Sequence, residues 1–343
     1  MPEQTERRGI LAAGNFIVDH VKLVDDYPAQ DQLALVQSHA QSNGGGPYNL
    51  LCDLAHLGAE FPLLAVGSIG EDPDGDWILR DCARRGIDTS ALRVTSDAGT
   101  SWTDVMSVAS TGRRTFFHYP GANAHLGLES LDLSRSAARI FYLGYLTMLP
   151  SLDAIDGEGR TAASRAFERA CDAGLITAAD LVSRRHARFG DIVASSAPYI
   201  DYLFLNELEA GWLLGRPLSA SDLSFDGLLN AARDILDLGI RRGVVLHHEY
   251  GAVCAERDGT QRVQPAVRVP GDLIRSKLGA GDAFSAGFLH AVHEGEDTSG
   301  SLLRAVCAAA TSILEPSASG GVRSVEECLA MAAEFGFHRG GAD

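Results

Sequence analysis

The chain has 343 residues and a formal net charge of −16, with a pI near 5.1. A surface of that sign repels phosphate backbones, which argues against a nucleic-acid partner, and the length suits one α/β domain with an inserted lobe and a large core. The six cysteines, Cys52, Cys82, Cys171, Cys254, Cys307 and Cys328, form no C-x-x-C pair and sit in apolar or small-residue runs, so they read as reduced core residues of a cytoplasmic protein and not as a disulfide frame or zinc site.

Met1 to Arg8 is short and polar, and the apolar run after it is too brief for a signal peptide or a membrane span, so no membrane association is expected. Ile10 to Ala13 predicts a buried strand ending in the Gly14-Asn15 loop. Phe16 to Val21 is a mostly apolar strand carrying Asp19, an acid that is costly there unless partnered. Asp19 is either an exposed-face or turn acid or a ligand for sugar hydroxyls. Lys22 to Asn43 is polar and weakly alternating, which suggests edge strands and a loop. In Asn43-Gly44-Gly45-Gly46-Pro47-Tyr48-Asn49, Pro47 suits the first helical position, and Leu50, Leu51, Leu54 and Leu57 form an apolar face that Gly58 ends. The three glycines are either a hinge or a place where a substrate can lie against bare backbone, with Asn49 offering a donor and an acceptor.

Leu63 to Gly67 reads as another buried strand, followed by a turn through Gly70, Asp72 and Gly75 into a helix containing Trp77, Ile78, Leu79 and Cys82. Gly67, Gly70 and Gly75 do not have dinucleotide-binding spacing, and the absence of any Gly-Lys pair excludes a Walker A loop. Thr100 to Ala109 and Arg113 to Tyr119 form a hairpin pattern that predicts a small β lobe shared with the Asp19 to Gln41 region. From Gly121-Ala122-Asn123-Ala124 the chain returns to the core. Strands are then predicted at residues 139–143, 175–180, 202–205 and 243–247, and helices at 161–173, 207–214, 226–238, 282–293 and 302–314. This alternation implies a mostly parallel sheet with helices on both faces and ligands at the carboxyl ends of the strands.

Gly279-Ala280-Gly281-Asp282 enters a run in which Phe284, Phe288, Leu289 and Val292 recur at helical spacing. The glycines therefore stand at a helix N-terminus, where unpaired N–H groups and a positive dipole make a pocket for an anion such as a phosphoryl group. Asp282, in the first turn, reads as a helix cap or as a carboxylate that takes a proton from a substrate hydroxyl. His290 and His293 share a helix face but lack a third ligand, and His247 and His248 point to opposite faces of a strand, so none reads as a metal site.

Taken together, these pieces resemble the ribokinase-like (PfkB) carbohydrate kinases along nearly the whole chain. Gly279-Ala280-Gly281-Asp282 with Ala286-Gly287 is similar to the family's C-terminal signature, Gly44-Gly45 to Asn49 to its N-terminal glycine motif, and Asn15 to Asp19 to its strand-end acid. Asn206-Glu207-Leu208-Glu209 matches N-x-x-E, and Gly121-Ala122-Asn123 is similar to a segment near the sugar. The resemblance implies an α/β core (residues 1–15, 43–99 and 121–343) with a β lid (16–42 and 100–120), and transfer of the ATP γ-phosphoryl group to a sugar hydroxyl. It implies Asp282 as base and the amides of Gly279, Ala280 and Gly281 as the anion hole. Asp19, Gly44, Gly45, Asn49 and Asn123 would bind the acceptor, Asn206 and Glu209 would organise Mg²⁺ through water, and Gly251 and Lys277 would lie on the ATP side. A homodimer through the lid is also implied.

Two departures stand out. Ser276-Lys277-Leu278 replaces the usual Asp-Thr-Thr, which removes an acid that orders a monovalent cation in many relatives; Lys277 is either a replacement charge near the phosphates or a solvent-facing lysine. Leu246-His247-His248-Glu249-Tyr250-Gly251 replaces a Thr-Leu-Gly segment, and its imidazoles either stack on adenine or fill space. Two rival readings remain: a nucleoside kinase on the same scaffold, with Phe16, Tyr119 and Tyr145 as an aromatic slot, and a non-catalytic sugar-binding regulator.

Overall fold

Strands whose successive residues are apolar on both faces can be buried only between two helical layers, and such strands form the centre of this molecule. The computed structural model describes residues 7–133 and 137–339; Met1 to Glu6, which the sequence reads as polar, lie outside them. The strands are β1 (Ile10–Gly14), β2 (Ile17–Val24), β3 (Val36–Gly44), β4 (Leu63–Gly70), β5 (Asp88–Thr95), β6 (Ser101–Val108), β7 (Arg114–Tyr119), β8 (Ile140–Gly144), β9 (Ile176–Asp180), β10 (Tyr202–Asn206), β11 (Gly243–His248), β12 (Gly251–Glu256) and β13 (Gln261–Pro265). The helices are α1 (Gly46–Leu57), α2 (Pro73–Arg84), α3 (Pro150–Asp153), α4 (Ala162–Asp172), α5 (Phe189–Ser196), α6 (Glu207–Leu213), α7 (Phe225–Leu236), α8 (Ala280–Glu294), α9 (Thr298–Ser312) and α10 (Val325–Phe335).

Nine strands form one sheet in the order β13-β12-β11-β10-β9-β8-β1-β4-β5. It is parallel from β11 to β5, whereas β11, β12 and β13 form an antiparallel edge. Period-two alternation divides its side chains. Ile10, Ala12, Ile140, Tyr142, Phe204 and Val245 join a core with α1, α2, α8, α9 and α10. Leu11, Ala13, Phe141, Leu143, Leu203 and Val244 join a second core with α4, α5 and α7 on the other face. The carboxyl ends of β1, β8, β9 and β10 open on the same edge, towards the N-terminus of α8.

A separate four-stranded sheet, in the order β3-β2-β6-β7, stands over that edge. Its register places Asp19 beside Ser42 and Thr103, and Thr103 beside His118. These residues share one face, and Trp102 and Tyr119 lie on the other.

Asp72 ties the root of this small sheet to the core. It caps α2 by accepting from Gly75 N at 2.9 Å, and it also accepts from Thr100 N at 2.6 Å and Thr100 Oγ1 at 2.7 Å, just before β6. Burial alone would push its carboxyl up, but these donors outweigh burial and hold it below the usual range. Asp72→Ala is therefore expected to lower stability by about 1–2 kcal/mol in urea unfolding at pH 7. Because the folded-state pKa is depressed, this contribution is present above the unfolded value and disappears as the pH falls through the folded one.

Candidate active site

The start of α8 is set by Gly279, which has a φ of 76°. A side chain there would place its Cβ 2.2 Å from Ala318 O, so close approach of two loops and a left-handed backbone both demand glycine. The next residues turn into the helix, with Ala280 N directed to Lys277 O at 3.4 Å. The first turn carries Asp282, and a helix N-terminus there favours negative charge.

Asp282 is buried. Its Oδ2 accepts from Asn49 Nδ2 at 2.8 Å, and both of its oxygens accept from Tyr145 Oη at 2.8 Å. Burial pushes its pKa up to about 6, against the pull of the Asn49 and Tyr145 donors. The tyrosine hydroxyl is itself held well above its ordinary value by burial and by the field of Asp282, which keeps it a proton donor. Asn43, at the end of β3, fixes the orientation of the Asn49 amide. Its Nδ2 donates to Asn49 Oδ1 at 2.7 Å and to Ser319 Oγ at 2.7 Å, which leaves the amide nitrogen of Asn49 for Asp282.

Asp19 approaches from the small sheet. Its carboxylate lies against Gly44, where a Cβ would come within 2.6 Å of Oδ1, so the glycine motif clears space for this acid. Gly45 follows as the N-cap of α1. Burial raises Asp19 to about 7; the Thr103 hydroxyl opposes the rise, the field of Asp282 adds to it and Arg114 reduces it.

Two further acids belong to the cluster. Asp180, at the carboxyl end of β9, accepts from Ser285 Oγ at 2.9 Å and Tyr142 Oη at 3.4 Å. Asp53 lies one turn along α1 from Asn49, fully buried; Ser319 favours its charged form, yet no hydrogen bond of ordinary geometry reaches either oxygen. Burial, followed by the field of Asp282, holds both well above the usual carboxylate range. Asp282 and Asp19 are thus raised less than Asp53 and Asp180, so the environments separate the two acids nearest the mouth of the site from two that hold their protons firmly.

The other residues singled out from the sequence occupy different positions. The amide of Asn123 is committed to the backbone ahead of β2, donating to Phe16 O at 3.0 Å and accepting from Phe16 N at 3.3 Å. Asn206 and Glu209 form a capping box on α6: Asn206 Oδ1 accepts from the N–H groups of Leu208 and Glu209, and Glu209 Oε2 accepts from Asn206 N. Ser183 Oγ donates to Glu209 Oε1 at 2.8 Å and accepts from Asn206 Nδ2 at 2.7 Å. Gly251 opens β12 against the ring of Phe225. Lys277 is solvent-facing and pairs with Glu249 at 3.1 Å, an exposed contact of small energetic weight. His247 lies between β11 and α8, its ring 5.1 Å from that of Phe284, and burial lowers its pKa to about 4. Phe16 is stacked on Tyr48 in the core and Tyr119 packs on Trp102 on the far face of the small sheet, so the structure does not assemble Phe16, Tyr119 and Tyr145 into one aromatic slot. His290 and His293 pack around Phe61, as ordinary helix residues do.

Sequence reasoning assigns no role to Asp53, Asp180 or Arg114, and gives Tyr145 only a place in an aromatic slot. For Asp180 and Tyr145 a signal was present: each stands at the carboxyl end of an expected parallel strand, where such folds place their ligands.

Comparisons with known proteins bear on the family and the fold. The chain is 28% identical to the ATP-dependent ribose-1-phosphate kinase of Halopiger xanaduensis over 281 residues, covering 82% of this chain and 83% of that one. It is 25% identical to the adenosine kinase of Saccharomyces cerevisiae over 282 residues, covering 79% and 78%. Its fold is similar to that of the Arabidopsis thaliana ribokinase complexed with ribose and ATP, with a TM-score of 0.77 at 20% identity over 94% of this chain and 98% of that one. The family model described as pfkB family carbohydrate kinase matches residues 7–324, and the chain belongs to that family of kinases.

Proposed function

We propose that this kinase transfers the γ-phosphoryl group of ATP to a hydroxyl of a sugar or sugar-like small molecule, with Asp282 as general base. The observation that carries the reading is a buried carboxylate in the first turn of α8, held by the neutral donors Asn49 and Tyr145 and with no cation paired to it. In the step, Asp282 takes the acceptor's hydroxyl proton, the hydroxyl oxygen bonds to the γ-phosphorus, and the bond from that phosphorus to the bridging oxygen breaks to leave ADP. The amides of Gly279, Ala280 and Gly281 face the charge on the transferring group, and Asp19, Gly44, Gly45 and Asn49 orient the acceptor. Asn123 supports this indirectly, by fixing the backbone from which β2 and Asp19 emerge.

The Asn206 and Glu209 pair suits an ion held through water: one neutral amide and one carboxylate, both already anchored by hydrogen bonds. Among the described residues no group of three or more His, Cys, Asp or Glu is gathered to ligate a metal directly. This pattern is in keeping with Mg²⁺, which retains several waters; bound with ATP, it would offset the charge of the phosphates. Gly251 is packed against Phe225 and Gln264, so it would serve the nucleotide side only by shaping the turn between β11 and β12, and the pairing of Lys277 with Glu249 gives that lysine a solvent-facing role.

The small sheet would act as a lid that excludes water and limits ATP hydrolysis. The exposed Phe116, Phe117 and Tyr119 on its β7 edge support pairing of two lids in a homodimer. ATP as donor is in keeping with a reaction in the cytoplasm. The dispersal of Phe16, Tyr119 and Tyr145 favours a sugar over a nucleoside as acceptor.

Asp282→Asn should lower kcat by a factor of about 10² to 10⁴ with the fold intact, read by acceptor-dependent ADP release. For the wild type, kcat/KM should fall as the pH drops below about 6, where Asp282 takes up a proton. Tyr145→Phe removes a donor that favours the ionised form, so its acid limb should move to higher pH. An unmoved limb in that variant would show that Tyr145 does not tune the base.

A further inference from the structure

The scheme above leaves one guanidinium unused. Arg114 opens β7 opposite Ser107, which places it on the same face of the small sheet as Asp19, Thr103 and His118. It is half-buried, with Nη1 donating to Ser276 Oγ at 2.7 Å and Nη2 to Pro316 O at 3.3 Å. Both acceptors are neutral, and among the described residues Arg114 has no carboxylate within ion-pairing distance. Burial holds its pKa below the usual value, although the field of Asp19 opposes that change. Withdrawing a guanidinium from water without a counter-ion costs free energy. What sets Arg114 apart is its position: it is half-buried on the sheet face that carries Asp19, with only neutral groups accepting from it.

A second arginine stands across the same mouth. Arg184, in the loop after β9, donates to Thr147 O at 3.4 Å, again a neutral group, two residues beyond Tyr145. Its field reaches His118 on the lid. It also reaches Asp153, whose carboxyl is turned towards the N–H groups of Thr147 and Leu149 and is held by burial near 7. Arg184 likewise has no carboxylate at ion-pairing distance among the described residues; it is exposed, so unlike Arg114 it bears no desolvation cost and is free to turn towards a ligand. Two arginines without such partners therefore flank the entrance to Asp19 and Asp282, one on the lid and one on the core.

We infer that the acceptor carries an anionic group of its own, a phosphate or carboxylate on the sugar, which Arg114 and Arg184 receive while a hydroxyl elsewhere on the molecule meets Asp282. The inference rests on the kinase reading and narrows its substrate class. A guanidinium presents paired N–H donors that match two oxygens of either anion, and the contact strengthens as the lid excludes water. An anion of this kind also explains why an acid-lined pocket keeps cations without carboxylate partners at its rim: they offset the repulsion that the ionised Asp282 would exert on such a substrate.

The test is steady-state kinetics at saturating Mg·ATP with two matched pairs of acceptors, ribose with ribose 1-phosphate and glucose with gluconate. At least one anionic member should exceed its neutral counterpart in kcat/KM by about 10-fold or more, the lower end of what a hydrogen bond to a charged group contributes; the pair that responds separates phosphate from carboxylate. Arg114→Met and Arg184→Met should each lower kcat/KM for that anionic sugar about 10-fold more than for its neutral partner, mainly through KM. Arg114→Lys, which retains the charge, should recover part of the loss and guards against a folding artefact. Preference for the neutral sugars would overturn the inference, as would variants that slow both members alike, since Arg114 would then act on the transferring phosphoryl group or on the fold. If no acceptor turns over at all, the kinase reading fails. In that event calorimetric titration with ribose 1-phosphate and gluconate still decides the inference: binding lost in Arg114→Met supports it, and no binding overturns it.

Discussion

The site depends on how a buried carboxylate is kept available without a cation beside it. Asp282 is held by two neutral donors, Asn49 and Tyr145, at the positive end of α8. A direct salt bridge would favour the ionised form so strongly that the carboxylate would be a poor proton acceptor. Neutral donors and a helix terminus instead balance burial and leave its pKa near the working range of a base. That balance draws on distant parts of the chain: α1 supplies Asn49, the end of β3 supplies the Asn43 that orients it, and the segment after β8 supplies Tyr145.

The neighbouring acids are coupled to Asp282. Asp19, Asp53 and Asp180 are all raised by burial, and Asp282's own charge raises them further. Ionising one site therefore discourages the others. Asp19 also couples the lid to the base, because it belongs to β2 yet lies within the field of Asp282. Arg114 reaches from the lid to Ser276 and Pro316, in the two loops that flank the start of α8. The small sheet and the start of α8 are in this way linked through a few side chains.

Much of this was legible in the sequence, for physical reasons. The helices α1 and α8 announce themselves through glycines, a proline and apolar residues at helical spacing, and the buried strands through short apolar runs. Asp282, Asn49 and Asp19 are brought together as the motifs imply. The strands β5 and β13 go unpredicted because their residues are largely exposed and polar, so no apolar period marks them; β12 goes unpredicted although its run is buried, because the Gly251 turn that starts it is read as part of the nucleotide side. Asn206 and Glu209 carried a second message, since an Asn followed three residues later by Glu is also the signature of a capping box, and the structure uses it as one. The contacts of Tyr145 with Asp282 and of Arg114 with Ser276 span 137 and 162 residues. No local pattern records such pairings; only the closing of the sheet and lid creates them.

The central claim, phosphoryl transfer to a small acceptor alcohol by this site, is tested most directly by measuring ADP release from Mg·ATP by the purified chain. The acceptors should include pentoses, hexoses, polyols, sugar acids and nucleosides, each supplied separately. The account predicts little ADP without an acceptor and a marked rise with a sugar or sugar derivative, matched mole for mole by a phosphorylated product. ADP release that is indifferent to every acceptor, or no release at all while a sugar binds, would contradict it.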